Sequence, residues 1–197
     1  MFKDLTKFIR ELYSSNDFIP LHAPIFNGNE KKYIESTINS TYVSSVGKYV
    51  EEFENKVCDY TGSKYAIATV NGTSALHLSL KLADVNKDTE VITQSLTFVA
   101  SANAISYCNA KPIFIDVSLS TLGMSPVSLS TFLNENCELR EDGFCWNIKS
   151  GRKVSACIVM HTFGLPLELE EIKIICNQYN IKLIEDAAGS MGSLYKD

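Results

Sequence analysis

Two adjacent carboxylates end an apolar run in Lys182-Leu183-Ile184-Glu185-Asp186-Ala187-Ala188-Gly189-Ser190. In open α/β sheets, ligands sit outside the carboxyl ends of the strands. A half-buried carboxylate there needs a positive partner or gives up its charge. The small residues after it let something flat lie close to the backbone. Asp186 therefore faces a cation, or it simply caps the next turn. A second candidate is Asn71-Gly72-Thr73-Ser74, between an apolar stretch and the helical repeat Leu76, Leu80, Ala83. Gly72 lets the backbone approach a ligand. The free N–H groups and positive dipole of a helix start suit a phosphate, and Thr73 and Ser74 add hydroxyls. No second glycine and no lysine come after them, so this is not a Walker loop. The alternative is an ordinary helix start capped by Thr73 or Ser74. Phe98 offers a plate for a flat ring, or it packs in the core. His161, ahead of Gly164 and Pro166, orients a ligand or bonds a turn carbonyl.

These residues need a frame. Apolar spacing predicts helices over residues 2–13, 30–39 (with Asn29 as N-cap), about 50–60, 76–83, 98–107, 125–133 and 168–180. Short apolar runs predict strands over residues 65–70, 90–93, 112–116, 154–160 and 182–185. The helix over 2–13 packs on a partner subunit or on the domain body. Residues 14–24 and 40–48 read as loops, and residues 134–153 carry no clear pattern. Alternating strands and helices mean βαβ units and a mostly parallel sheet covered on both faces. All carboxyl ends then point one way. Residues 71–74, 95–98, His161 and Asp186 meet at one rim. A phosphate cradle, an aromatic plate and a carboxylate for a ring nitrogen together describe a pyridoxal phosphate site.

The totals restrict the remaining choices. With 45% hydrophobic and 21% charged residues, the composition is that of a soluble globular chain. A net charge of −5 without a basic run argues against nucleic acid, and no run is long enough to span a bilayer. No signal-peptide core precedes residue 13. Six scattered cysteines without C-x-x-C spacing read as free, mostly buried thiols in a reducing compartment, the cytoplasm. Three histidines show no metal-ligand spacing, so no metal is expected. A dinucleotide binder would need a G-x-G-x-x-G turn, which is absent.

Four motifs resemble, in order, the DegT/DnrJ/EryC1/StrS family of nucleotide-sugar aminotransferases. They are Asn71-Gly72-Thr73-Ser74-Ala75-Leu76, the run from Thr97 to Ile105, His161-Thr162-Phe163-Gly164 and Ile184-Glu185-Asp186-Ala187-Ala188. The resemblance covers residues 19–197. Ile19-Pro20-Leu21-His22-Ala23-Pro24 and Val43-Ser44-Ser45-Val46-Gly47 look most like the subgroup making 4-amino sugars for legionaminic-acid-type or bacillosamine-type glycans.

The resemblance implies an α/β fold: a three-layer α-β-α sandwich with a mostly parallel sheet, the aspartate aminotransferase (type I) large domain in truncated form. Residues 1–48 would hold N-terminal helices and a substrate loop, and residues 49–197 the cofactor-binding core. The small C-terminal domain would be absent. Gly72, Thr73 and Ser74 would hold the phosphate of pyridoxal 5'-phosphate. Phe98 would stack on its ring, and Asp186 would pair with the ring nitrogen. Gly189 would lie near the phenolic oxygen, where many members carry Gln or His. Ser44, Ser45, Val46, Gly47 and His161 would contact the nucleotide sugar. The implied reaction moves an amino group from glutamate to a UDP-linked 4-keto-6-deoxy amino sugar, in a homodimer serving surface-glycan synthesis.

The family's Schiff-base lysine lies beyond Asp186 after two more strands, and no lysine of this sequence has its context. The chain as given is therefore expected to be inactive. The strand over residues 65–70 is expected to lose a neighbour. The alternative reading is a non-catalytic fragment that binds pyridoxal phosphate or a nucleotide sugar, or that partners a full-length homologue.

Overall fold

The computed structural model describes residues 2–20 and 23–196. Leu21 and His22, part of the loop expected over residues 14–24, lie outside that range. The chain divides into two compact units, Met1–Ala68 and Thr69–Asp197. The boundary between the units falls after the third helix.

The first unit holds α1 (Phe2–Tyr13), α2 (Glu30–Ser40) and α3 (Lys48–Thr61). The Tyr33 and Tyr49 rings meet at 5.2 Å between α2 and α3. Asn29 precedes α2, but its side chain makes no capping bond. Glu30 instead reaches back to accept from the Gly28 N–H at 2.9 Å. Gly62 ends α3 in the left-handed region at φ 71°, where its N–H reaches the Cys58 carbonyl.

The second unit runs α4 (Gly72–Leu82), β1 (Thr89–Gln94), α5 (Val99–Tyr107), β2 (Lys111–Ile115) and α6 (Pro126–Asn136). It continues with β3 (Cys137–Leu139), β4 (Cys145–Asn147), β5 (Lys153–Met160), α7 (Leu169–Gln178) and β6 (Lys182–Asp186). Four parallel strands lie in the order β2-β1-β5-β6. The unassigned residues 134–153 contain the β3–β4 hairpin, which pairs antiparallel with the start of β5. Ser125 accepts from the Ser128 N–H at 3.2 Å and Pro126 comes next, so α6 starts as its sequence predicts.

The expected strand over residues 65–70 does not form. A strand exists only through its ladder, and no described segment pairs with this one. The Ala68 N–H donates instead to the Glu54 carboxylate at 2.8 Å. Tyr65, Ile67 and Val70 stay exposed.

The sheet separates two apolar layers. Leu76 and Leu80 of α4 and Ala104 and Ile105 of α5 pack on Val91, Ala156 and Ile158. Leu129 and Leu133 of α6 and Ile172 and Cys176 of α7 pack on Ile92, Val154, Cys157 and Val159. Along a strand, neighbours point to opposite faces. Val154 joins Cys157 on one face because the β1–β5 register shifts, pairing Glu90 with Val154 but Val91 with Ala156. Each such Leu or Ile contributes about 1.5–3 kcal/mol through burial. The architecture is a three-layer α/β/α sandwich. No described helix is long and apolar enough to cross a membrane.

All six cysteines are free, and five are buried; Cys58 is partly exposed. The Cys157 thiol is pushed up by its hydrogen bond with Cys176 and by burial. The Cys145 thiol rises through its bond with Cys137, and burial raises that of Cys108.

Candidate functional site

The strand order turns between β1 and β5: the next strand after β1 lies on one side of it and β5 on the other. Parallel sheets open a crevice at such a point, outside the carboxyl ends. Here those ends are Gln94 and Met160, flanked by Ile115 and Asp186. The segments carrying Phe98 and His161 leave β1 and β5 at this point.

Asp186 is 7% exposed. One carboxylate oxygen accepts from the Ser101 hydroxyl at 2.8 Å and the other from the Ala188 N–H at 3.3 Å. The Thr97 hydroxyl donates in turn to Ser101 at 3.2 Å. Among the described residues no cation pairs with Asp186. Phe98 is 66% exposed, so it is not a core residue. Its N–H points to the Met160 sulfur at 3.4 Å, and the neighbouring Thr97 hydroxyl oxygen lies 3.7 Å from the same sulfur. Phe98 and Asp186 thus belong to one bonded cluster at the ends of β1, β5 and β6.

Helix α4 packs against β6 and α5. Its cap is the Asn71 side chain, which accepts from the Ser74 N–H at 2.8 Å; neither Thr73 nor Ser74 is the cap. The Ala75 N–H reaches the Asn71 carbonyl. The Gly72 and Thr73 N–H groups have no protein acceptor among the described residues. A Cβ at Gly72 would meet nothing within 4 Å. The helix start therefore offers open space and two free donors, as an anion requires.

His161 is buried, and the protein holds both of its ring nitrogens. The Leu167 N–H donates to Nδ1 at 3.4 Å, which leaves the proton on Nε2, 3.3 Å from Glu185. Its backbone N–H donates to the Asp186 carbonyl at 3.2 Å. The ring is placed to orient Glu185 and the end of β6. Gly189 lies against the turn after β5. A Cβ on Gly164, whose φ is +81°, would stand 2.6 Å from the Gly189 carbonyl. The exposed Phe163 beside it takes a left-handed φ of 54°.

Ser44, Val46 and Gly47 lie in the first unit and line a cavity of about 300 Å³ with Tyr42 and Lys48. Ser45 lies in the same turn. Among the described residues no group of His, Cys, Asp and Glu could hold a metal ion.

Sequence reasoning missed Gln94 altogether and the bonding roles of Thr97 and Ser101. Gln94, wholly buried, accepts from the Met124 and Met160 N–H groups at 3.2 and 3.0 Å. It donates to the Leu96 carbonyl and the Thr162 hydroxyl at 2.8 and 3.0 Å. The available signals were an amide closing an otherwise buried strand and a serine on the inward stripe with Ala104 and Ile105.

The sequence model described as the DegT/DnrJ/EryC1/StrS aminotransferase family matches residues 24–197. GDP-perosamine synthase of Escherichia coli O157:H7 is 35% identical over 179 residues, which are 91% of this chain and 44% of that protein. EpsN of Bacillus subtilis (strain 168), assigned by name to the pyridoxal phosphate-dependent aminotransferases, is 36% identical over 178 residues, 90% of this chain and 43% of its own length. The solved structure of an aminotransferase from Psychrobacter cryohalolentis superposes with a TM-score of 0.74 at 28% identity. That superposition covers 91% of this chain and 41% of the other. The chain thus spans less than half the length of the relatives it matches.

Proposed function

Because this chain belongs to the DegT/DnrJ/EryC1/StrS aminotransferase family, we propose that it contributes the cofactor-binding core of a pyridoxal phosphate-dependent transaminase of nucleotide-linked keto sugars. The observation carrying this reading is Asp186: a buried carboxylate held by hydrogen bonds, with no cation of the described chain beside it. Buried charges are ordinarily paired, and a protonated ring nitrogen supplies the missing partner. The residues fit the cofactor in three respects. The Gly72 and Thr73 N–H groups and the Ser74 hydroxyl suit its phosphate. Phe98 is exposed beside the same cluster, and Asp186 suits its nitrogen.

Bound there, pyridoxal phosphate supplies an electron sink for moving an amino group. The chain's own part is positioning. Ser101 and Ala188 fix the carboxylate, and Thr97 fixes Ser101. Gly189 would lie beside the ring through its backbone. His161 holds Glu185 at the rim. Ser44, Ser45, Val46 and Gly47 contact the nucleotide sugar.

The amino donor is glutamate and the acceptor a UDP-linked 4-keto-6-deoxy amino sugar, in a cytoplasmic homodimer serving surface-glycan synthesis. A GDP-linked acceptor is the second reading, favoured by the names of the perosamine-synthase relatives.

These 197 residues alone should bind the cofactor without turnover. Lys182 sits at the start of β6, opposite the rim, and Lys196 is engaged by Glu170 at 2.6 Å. Equilibrium dialysis should give saturable binding of pyridoxal phosphate and none of NAD. UDP-linked keto sugar should raise the thermal midpoint more than its GDP counterpart. Absence of cofactor binding would sink the site. Turnover with borohydride labelling of a single lysine would sink the claim about this segment. A larger shift with the GDP sugar would reverse the nucleotide assignment.

A further inference from the structure

The apolar strand β5 ends on a thioether, the half-buried Met160. Its backbone and its side chain hold different parts of the rim. The Met160 N–H donates to the buried Gln94 amide oxygen at 3.0 Å, and the nitrogen of that amide donates to the Leu96 carbonyl at 2.8 Å. The Met160 sulfur accepts from the Phe98 N–H at 3.4 Å, and among the described residues that N–H has no other acceptor. Phe98 stands just before α5 in an extended conformation, and no side chain caps the helix there. The sulfur therefore ties the Phe98 backbone to β5. Met160 also pairs with Asp186 in the parallel β5–β6 register. Both project to the face that Ile158 and Ile184 share, two residues earlier on each strand.

We infer, on the pyridoxal phosphate reading of Phe98 and Asp186, that Met160 is a positioning residue: its sulfur sets the stance of Phe98 against the cofactor ring. Fixing the Phe98 N–H fixes the planar 97–98 peptide, from which the Phe98 side chain departs. Thr97, on the other side of that peptide, donates to Ser101, which donates to Asp186. One anchored peptide thus sets both the aromatic plate and the hydroxyl that holds the carboxylate. A thioether is a weak acceptor, but it serves an N–H that nothing else in the described chain serves. An alkyl side chain would complete the apolar strand equally well and hold nothing. A plate already in place when the ring arrives needs no ordering on binding.

Three versions of the whole chain separate holding from filling: unmodified, Met160→Leu and Met160→Gln. Leucine fills similar space without an acceptor, and it should leave the thermal midpoint near that of the unmodified chain. Glutamine has similar length and an acceptor oxygen, but it is polar. Hydrogen exchange of the Phe98 amide, measured without cofactor, should be about three- to tenfold faster in Met160→Leu, the worth of one neutral hydrogen bond, and should slow again in Met160→Gln. The dissociation constant for pyridoxal phosphate should rise about three- to tenfold in Met160→Leu and return most of the way in Met160→Gln. Packing alone forecasts the opposite order, with Met160→Gln worse than Met160→Leu, and that order overturns the inference. So do unchanged Phe98 exchange and unchanged affinity in Met160→Leu. An unmodified chain that binds no pyridoxal phosphate strikes the proposed function instead; the exchange measurement needs no cofactor and still decides whether Met160 holds Phe98.

Discussion

Asp186→Asn weakens pyridoxal phosphate binding by at least roughly 100-fold, about 3 kcal/mol, while leaving the ligand-free protein as stable as before. The two halves of this expectation have separate causes. The amide oxygen keeps the bond from the Ala188 N–H, and the NH2 group donates to the Ser101 oxygen once that hydroxyl turns its proton from position 186 to the Thr97 oxygen. Folding therefore loses nothing, and removing a buried charge without a counter-ion can even favour it. The neutral amide cannot compensate a cationic ring nitrogen, so only the bound state suffers. Dialysis and thermal unfolding of the same variant separate the effects. A stability loss matching the binding loss would mean that Asp186 is merely structural, as its alternative reading as a turn cap requires.

Gln94→Leu has the largest expected effect on folding, about 4 kcal/mol. The four bonds of this side chain tie the end of β1 to the segment before α6, the end of β5 and the turn after it. Leucine fills similar space but leaves the Met124 N–H, among others, unmatched in the interior. Each orphaned group costs about 1–3 kcal/mol. The urea midpoint should fall sharply with the slope unchanged. A loss below 1 kcal/mol would show that the rim does not depend on this amide.

The core of the fold was legible because its signals are local. Short apolar runs and helical spacing located β1, β5, α6 and α7 within a few residues, and Ser125-Pro126 marked a helix start that the structure contains. Two expectations failed because they depended on partners. Residues 65–70 have strand-like character, but no described segment pairs with them. Asn29 has the right side chain for a cap, yet Glu30 takes over part of that work from the next position. The hairpin over residues 137–147 escaped notice because its stability comes from outside itself. Asn147 donates to Glu90 at 2.9 Å across 57 positions, a pairing without local periodicity. For the site, residue type and strand end were enough to single out Asp186, Phe98 and Gly72. The roles of Ser101 and Thr97 were not legible, since a hydroxyl's role depends on which carboxylate the fold brings to it.

The placement of the sulfur atoms has a practical consequence. Only Cys58 is partly open to solvent, while Cys108, Cys137, Cys145, Cys157 and Cys176 sit inside the two layers flanking the sheet. A thiol-reactive dye should therefore mark one cysteine within seconds and the other five only as fast as those layers come apart. The chain carries its own stopwatch for breathing, with no label to engineer. Each layer can be timed separately by mass, because Cys108 belongs to one and the other four to its opposite.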